Sequence, residues 1–92
     1  MSDYSIVNEF TGKLTHACQI ILYIEDRGSI ITDDVRELLY CRRTYASHVL
    51  GRLWRRGLLK RKREAIGRTH RYRYFLTKFG EKKCSIIHEK GY

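Results

Sequence analysis

The stretch 41–59 constrains the fold most, because its apolar and basic residues separate at helical spacing. Apolar residues recur at intervals of three and four, at Ala46, Val49, Leu50 and Leu53, which is typical of a helix with one buried face. The opposite face is basic or able to form hydrogen bonds, and it carries Arg43, Thr44, Tyr45, Ser47, His48 and Arg52. A helix of this kind suits insertion into the major groove of DNA.

The end of this helix is also marked in the sequence. Gly57 is a helix stop, because glycine adopts the left-handed conformation at a helix C-terminus without a steric penalty. Arg55 and Arg56 lie in the last turn, where positive charge complements the helix dipole. We therefore predict a helix over residues 43–56, after which an apolar pair returns the chain to the core.

The distribution of charge predicts a polyanionic partner. The formal net charge is +9, yet residues 42–73 hold twelve Lys or Arg and one acid, which gives +11, and the other residues hold seven basic and nine acidic side chains, which gives −2. Because the excess lies in one contiguous third of the chain, nucleic acid is the first candidate partner and an anionic membrane surface the second. A solvated basic face that only confers solubility is the alternative.

Length and composition favour one domain over residues 1–92. No apolar run approaches the roughly 18–20 residues of a membrane span, and the start of the chain lacks the pattern of a signal peptide. We expect no membrane association and a cytoplasmic, nucleoid-associated protein, of cellular or viral origin. The three cysteines, Cys18, Cys41 and Cys84, are odd in number and contain no Cys-x-x-Cys pair, so a disulfide framework is not expected.

The first part of the chain is predicted to form a loose arm over 1–8 and a helix over 8–27, with Gly28 as its stop. Residues 29–31 are β-branched enough for a very short strand. Thr32 is the expected N-cap of a short helix that ends near Tyr40. The apolar side of the first helix is expected to contain Leu14, Ala17, Cys18, Ile21 and Ile24.

The last part of the chain changes period. Residues 58–76 alternate as two strands around a turn at 64–69, in which Gly67 can adopt a positive φ. Thr77 can then cap a C-terminal helix over 78–90. The resulting fold class is mainly α with a small β-hairpin (α+β), in the order α-β-α-α-β-β-α, which is a helix-turn-helix followed by a hairpin.

This order and two local motifs resemble the winged helix-turn-helix transcriptional regulators of the MarR, PadR and ArsR type. Residues 49–59, VLGRLWRRGLL, are similar to the end of the family's recognition helix, and residues 74–80, YFLTKFG, are similar to its Tyr-x-Leu-Thr-x-x-Gly passage into the last helix. The resemblance covers about residues 14–84. Two residues depart from it: Gly51 lies within the helix, and Trp54 replaces a polar residue. In this family the hairpin, here residues 58–76, is called the wing. We interpret Trp54 as partly buried at the junction of the helix and the wing, with a contact to DNA backbone or to a partner as the alternative.

The resemblance implies a sequence-specific regulator of transcription that binds double-stranded DNA, with the recognition helix in the major groove and the wing on the backbone or in the minor groove. Candidates for base edges are Arg43, Thr44, Tyr45, Ser47 and His48. Candidates for phosphate are Arg42, Arg52, Arg55 and Arg56. Candidates on the wing are Lys60, Lys62, Arg68, His70, Arg71 and Arg73.

Regulators of this type usually bind as two-fold dimers. Spare apolar residues on the first and last helices and the arm predict a homodimer interface at Phe10, Ile20, Tyr23, Ile86 and Ile87, with Tyr4, Ile6 and Val7 of the arm beside them. A nonspecific architectural nucleic-acid-binding protein and a protein-interaction module are the rival functions.

Other chemistry has little support in the sequence. Cys84 and His88 are four residues apart and could join His16 or Cys18 in a metal site, but the ligand spacing is poor. No paired acids, phosphate loop or activated nucleophile is present, so no enzyme activity, cofactor or metal is expected.

Overall fold

The computed structural model describes residues 14–91. Its elements are α1 (His16–Arg27), α2 (Thr32–Leu39), α3 (Arg43–Arg55), β1 (Leu59–Ile66), β2 (Thr69–Leu76) and α4 (Lys78–Glu89). The predicted order is confirmed, except that the short strand at 29–31 is a single bridge between Ile30 and Tyr74. The predicted arm over 1–8 and residues 8–13 of the predicted first helix lie outside the described residues.

The N-termini of α1 and α2 differ from the predictions. The Thr15 hydroxyl accepts a hydrogen bond from the Cys18 N–H at 3.4 Å, so α1 begins after Thr15 and Leu14 precedes it. The predicted cap at Thr32 is wrong, because Thr32 is already helical. The Asp34 carboxylate instead accepts the N–H of Ile31, the residue before the helix, at 3.0 Å. The carboxylate side chain thus satisfies a backbone donor that the helix cannot.

One apolar cluster joins the helices to the base of the hairpin. The apolar side of α3 is buried as predicted, with Ala46 and Leu50 fully inaccessible to solvent. The core also includes Leu58 and Leu59, which follow the α3 C-terminus, and Tyr74 of β2. These contacts fix α3 from behind and leave its other face to solvent.

The hairpin lies where it was predicted, but its strands are longer and its turn is tighter. β1 and β2 pair antiparallel from Leu59 opposite Leu76 to Ile66 opposite Thr69, which leaves a two-residue loop at 67–68. Gly67 has φ +58°, a left-handed conformation that suits a tight hairpin turn. Glu64, predicted to lie in the turn, is therefore a strand residue opposite Arg71.

The start of α4 is joined to the α3–β1 connection by Thr77. Its hydroxyl accepts the Gly80 N–H at 3.1 Å, as predicted for an N-cap, and donates to the backbone carbonyl of Leu58. The Thr77 N–H also donates to Leu58 at 3.2 Å. Gly80 is required here, because a Cβ at this position would overlap the Leu58 carbonyl oxygen. The Thr-x-x-Gly spacing thus holds α4 against the end of α3.

Candidate nucleic-acid interface

The outward face of α3 is a row of polar and basic side chains. Thr44, Ser47 and His48 are exposed, as are Arg42 and Arg43 at the N-terminal end. Toward the C-terminal end, Arg52 and Arg55 are exposed, whereas Arg56 is half-buried at the helix C-cap. Because the apolar side of the same helix is packed in the core, this row presents a fixed surface.

Two of the predicted base-reading residues already have partners in the protein. Arg43 lies 3.3 Å from the Asp33 carboxylate at the start of α2. The Tyr45 hydroxyl lies 2.7 Å from Nδ1 of His16, so it is directed toward α1. Tyr45 remains 43% exposed, on the flank of α3 that faces α1. Thr44, Ser47 and His48 form the central part of the outward row.

The strand register divides the wing into two faces, because successive side chains of a strand alternate. Arg61, Arg63, His70 and Tyr72 share one face with buried Tyr74. The other face carries four of the six predicted wing residues, which are Lys60, Lys62, Arg71 and Arg73. Arg68 lies at the exposed tip between them.

The second face of the wing is partly neutralised by Glu64. Its carboxylate accepts hydrogen bonds from Arg71 and from Arg73, the latter at 3.0 Å from Nε. These bonds, with Arg73 contributing most and Arg71 next, lower the pKa of Glu64 to about 2. Arg73 also donates to the Ser29 hydroxyl at 3.0 Å. The guanidinium of Arg73 thus ties the wing to the segment before α2, and its contact with DNA stays a prediction.

Lys60 lies at the base of the wing. It lines a cleft of about 550 Å³ between the base of the hairpin, the C-terminal end of α1 and α4. Glu25 and Glu81 line the same cleft. Lys60 therefore lies near acidic residues of α1 and α4, and its contact with DNA stays a prediction.

A stacked arginine joins α3 to the first face of the wing, and it was not predicted from the sequence. The guanidinium carbon of Arg61 lies 3.6 Å from the centre of the Trp54 ring and 4.1 Å from the centre of the Tyr72 ring. Trp54 is 38% exposed, which confirms its predicted place at the helix–wing junction. The alternation of β1 could have indicated the position of Arg61, because a residue two positions after buried Leu59 lies on the same face of the strand.

The tip of the wing and the start of α3 line one small groove. Its volume is about 160 Å³, and its lining includes Asp33 and Arg43 on one side and Thr69, His70 and Arg71 on the other. The structure therefore brings predicted residues from two separate elements to one place.

The predicted dimer interface is partly wrong. Ile20 and Ile87 are fully buried in the apolar cluster of the protomer, so neither can contribute to a surface. Ile86 is 44% exposed and Tyr23 is half-buried. Phe10, Tyr4, Ile6 and Val7 lie outside the described residues. Phe79, which was not predicted, is 51% exposed and lies two helical turns before Ile86.

A metal site at Cys84 and His88 with His16 or Cys18 is not formed. Within residues 14–91, no group of three or more His, Cys, Asp or Glu could hold an ion. Nε2 of His88 lies 2.6 Å from the Glu25 carboxylate. Burial raises the pKa of the Cys84 thiol to about 12, which disfavours the thiolate that a metal requires. In the same part of the chain, no helix is long and apolar enough to cross a membrane.

Comparison with solved structures finds proteins that share this fold. A point mutant of MepR from a multidrug-resistant S. aureus clinical isolate matches with a TM-score of 0.71 and 19% identity, over 83% of this chain and 55% of that one. A mutant of MarR from E. coli, complexed with operator DNA, matches with a TM-score of 0.70 and 18% identity, over 83% and 54%. This is the fold of MarR-type winged helices.

The chain spans about half the length of these MarR-type structures. Stf76 from the Sulfolobus islandicus plasmid-virus pSSVx is nearer in length: it matches with a TM-score of 0.60 and 20% identity, over 76% of this chain and 95% of that one. At sequence level, no protein-family model and no curated protein matches.

Proposed function

We propose that this protein is a regulator of transcription that binds double-stranded DNA at specific sequences, with α3 in the major groove and the wing on the flanking backbone or in the minor groove. The observation that carries the proposal is the outward face of α3. It is exposed, basic and able to form hydrogen bonds, while the opposite face is locked in the core. Rigid presentation of such side chains is what reading base edges requires.

The exposure and position of the predicted residues support the following proposed contacts with DNA. Arg43, Thr44, Ser47 and His48 read base edges, and Tyr45 contacts the flank of the groove. Arg42, Arg52, Arg55 and Arg56 bind phosphate near the ends of α3. On the wing, Arg68 at the tip and His70 beside it approach the minor groove, and Lys62 and Arg71 contact the backbone. The MarR neighbour was solved in complex with operator DNA, which supports DNA as the partner.

The regulator is proposed to act as a homodimer through α1 and α4, with Phe79, Ile86 and Tyr23 as the apolar contacts. Phe79 and Ile86 are seven residues apart, so they share one side of α4. Replacement of Ile86 by Lys should convert the dimer to a monomer in sedimentation experiments, whereas Ser85→Lys on the neighbouring exposed position should not. A wild-type monomer at micromolar concentration would contradict the dimer.

The function is tested by selection from a random pool of duplex DNA at about 150 mM salt, where nonspecific affinity is weak. Enrichment of an inverted repeat with half-sites about one helical turn, about 34 Å, apart would support a dimeric regulator. Binding without enrichment would indicate a nonspecific architectural protein instead. Absence of binding would mean that the basic face serves another partner.

A further inference from the structure

The helix–wing junction contains an arginine held between two aromatic rings. Arg61 of β1 lies between Trp54, from the last turn of α3, and Tyr72, from β2. The two rings belong to different elements, so the sandwich can form only when the wing is docked on α3. Both rings are near 40% exposed, which places the sandwich at the surface.

The guanidinium of Arg61 packs against both rings, which restricts its orientation. The five N–H donors of arginine lie in the plane of the group, and none of those of Arg61 has a hydrogen-bond or ion-pair partner among residues 14–91. The neighbouring acid on β1, Glu64, is bonded to Arg71 and Arg73 on the opposite face of the wing. Arg61 is thus oriented by its neighbours while its donors remain available.

We propose that Arg61 binds one phosphodiester group of the DNA strand beside the groove that α3 occupies, and that Trp54 and Tyr72 are its positioning residues. The proposal rests on the proposed function and adds to it a site that charge counting alone does not reveal. A planar fork of donors matches two oxygens of one phosphate. The stack restricts the rotamers of a flexible side chain before binding, so less conformational entropy is lost on contact.

The position of the sandwich favours phosphate over a base edge as the ligand. Trp54 is seven residues after Ser47, so it lies on the same side of α3 but two helical turns nearer the C-terminal end. In helix-turn-helix proteins the N-terminal part of the recognition helix contacts base edges, so a group at the far end of the helix, next to the wing, is placed to meet the backbone that borders the groove. Arg55, which follows Trp54 in α3, and Arg63, which shares a face of β1 with Arg61, are both exposed and add positive charge nearby.

The test compares Arg61→Gln with Arg27→Gln in salt titrations of binding to random-sequence duplex. Each variant lowers the net charge by one, and Arg27 also lies over an aromatic ring, that of Tyr23 at 5.4 Å, but outside the basic block. Loss of one phosphate contact should lower affinity about ten-fold and reduce the slope of log affinity against log salt by about 0.9. Arg27→Gln should change neither.

Two further variants separate a phosphate contact from a structural role. Arg61→Lys retains the charge but not the planar fork, so it should keep the slope and still lose affinity. Trp54→Leu alone should weaken binding to duplex. Added to Arg61→Gln in a double variant, it should have little further effect, because Trp54 acts through Arg61. Thermal unfolding of each variant, with the fluorescence of the chain's single tryptophan, reports whether the junction stays folded.

Each outcome decides between the claims. If the wild type binds duplex and Arg61→Gln changes neither affinity nor slope, the phosphate site is wrong and the proposed function stands. If Trp54→Leu and Arg61→Gln are additive, the tryptophan contacts DNA itself, and its positioning role is wrong. If the wild type does not bind duplex, the proposed function and the phosphate site both fail.

Discussion

Arg43, the first residue of α3, lies 3.3 Å from the carboxylate of Asp33 in the first turn of α2. The same carboxylate lies 3.7 Å from Arg36. Both arginines and the acid are largely exposed, and exposed ion pairs contribute only about 0–1 kcal/mol. Arg43 can therefore leave Asp33 for a base edge at little energetic cost, while the pair keeps its side chain close to the groove before binding.

Arg43→Ala should weaken binding to the selected operator by about 1–3 kcal/mol and relax the preference at one base pair. Lys62→Ala, which removes a charge on the wing, should weaken binding to all sequences about equally. The measurement is the affinity of each variant for the operator and for a random duplex of equal length. Equal losses on both duplexes for Arg43→Ala would contradict base reading by this residue.

Glu64→Gln should remove a pH-dependent part of the stability. The pKa of Glu64 is lowered from 4.5 to about 2 by its hydrogen bonds to Arg73 and Arg71. Its ionised form is therefore favoured in the folded state, and this stabilisation is present above pH 4.5 and is lost as the pH falls toward 2. Urea unfolding of wild type and variant should show a difference near pH 6 that disappears near pH 2.

The same substitution has a second expected effect on DNA. Removal of the carboxylate frees Arg71 and Arg73 from their partner and raises the net charge from +9 to +10. Affinity for random duplex should then rise, with a steeper dependence on salt.

In the unfolding experiment, a stability difference between wild type and Glu64→Gln that persists unchanged at pH 2 would show that Glu64 acts through packing and not through its charge.

Local signals in the sequence predicted α3 well, and the reason is physical. The spacing of Ala46, Val49, Leu50 and Leu53 defines the buried side directly, and Gly57, with φ +79°, marks the end. Thr77 was predictable as a cap for the same reason, because a cap depends on residues only three positions away.

Features that depend on distant partners were not predictable in the same way. A count of charges along the chain does not show that Arg71 and Arg73 share a face of the wing with Glu64. Their pairing with Glu64 follows from the register of the hairpin, which the turn at Gly67 sets. Ile20 and Ile87 were predicted to lie in a dimer interface because the spacing of apolar residues along a helix does not show how much of its surface the rest of the fold covers.

Gly80→Ala should destabilise the fold by about 1–3 kcal/mol, the usual range for an added group in a packed site. A Cβ at this position would overlap the backbone oxygen of Leu58, and it would also lie 3.1 Å from Leu76. Since backbone cannot rotate aside as a side chain can, α4 must shift away from the end of α3. Urea unfolding measures the change, and Ser85→Ala on the exposed side of α4 is the control. An unchanged stability would mean that this contact is not tight.

Gly51→Ala should raise the stability of the free protein and weaken its binding to DNA. Glycine within a helix costs about 0.5–1 kcal/mol relative to alanine. A Cβ at Gly51 would meet only the guanidinium of Arg55, at an ordinary contact distance of 3.6 Å, so nothing within the described fold requires glycine here. Gly51 lies one turn after Ser47 on the outward face, where the missing side chain allows DNA to approach the backbone closely.

Urea unfolding and duplex binding of Gly51→Ala should therefore move in opposite directions. Ser85→Ala is the matched control, because alanine also has the higher helix propensity there and α4 lies away from the outward face of α3. It should stabilise the protein slightly and leave binding unchanged, which separates an effect of stability from an effect of contact. A Gly51→Ala protein that is more stable and binds DNA as tightly as wild type would show that DNA does not approach α3 closely at this turn.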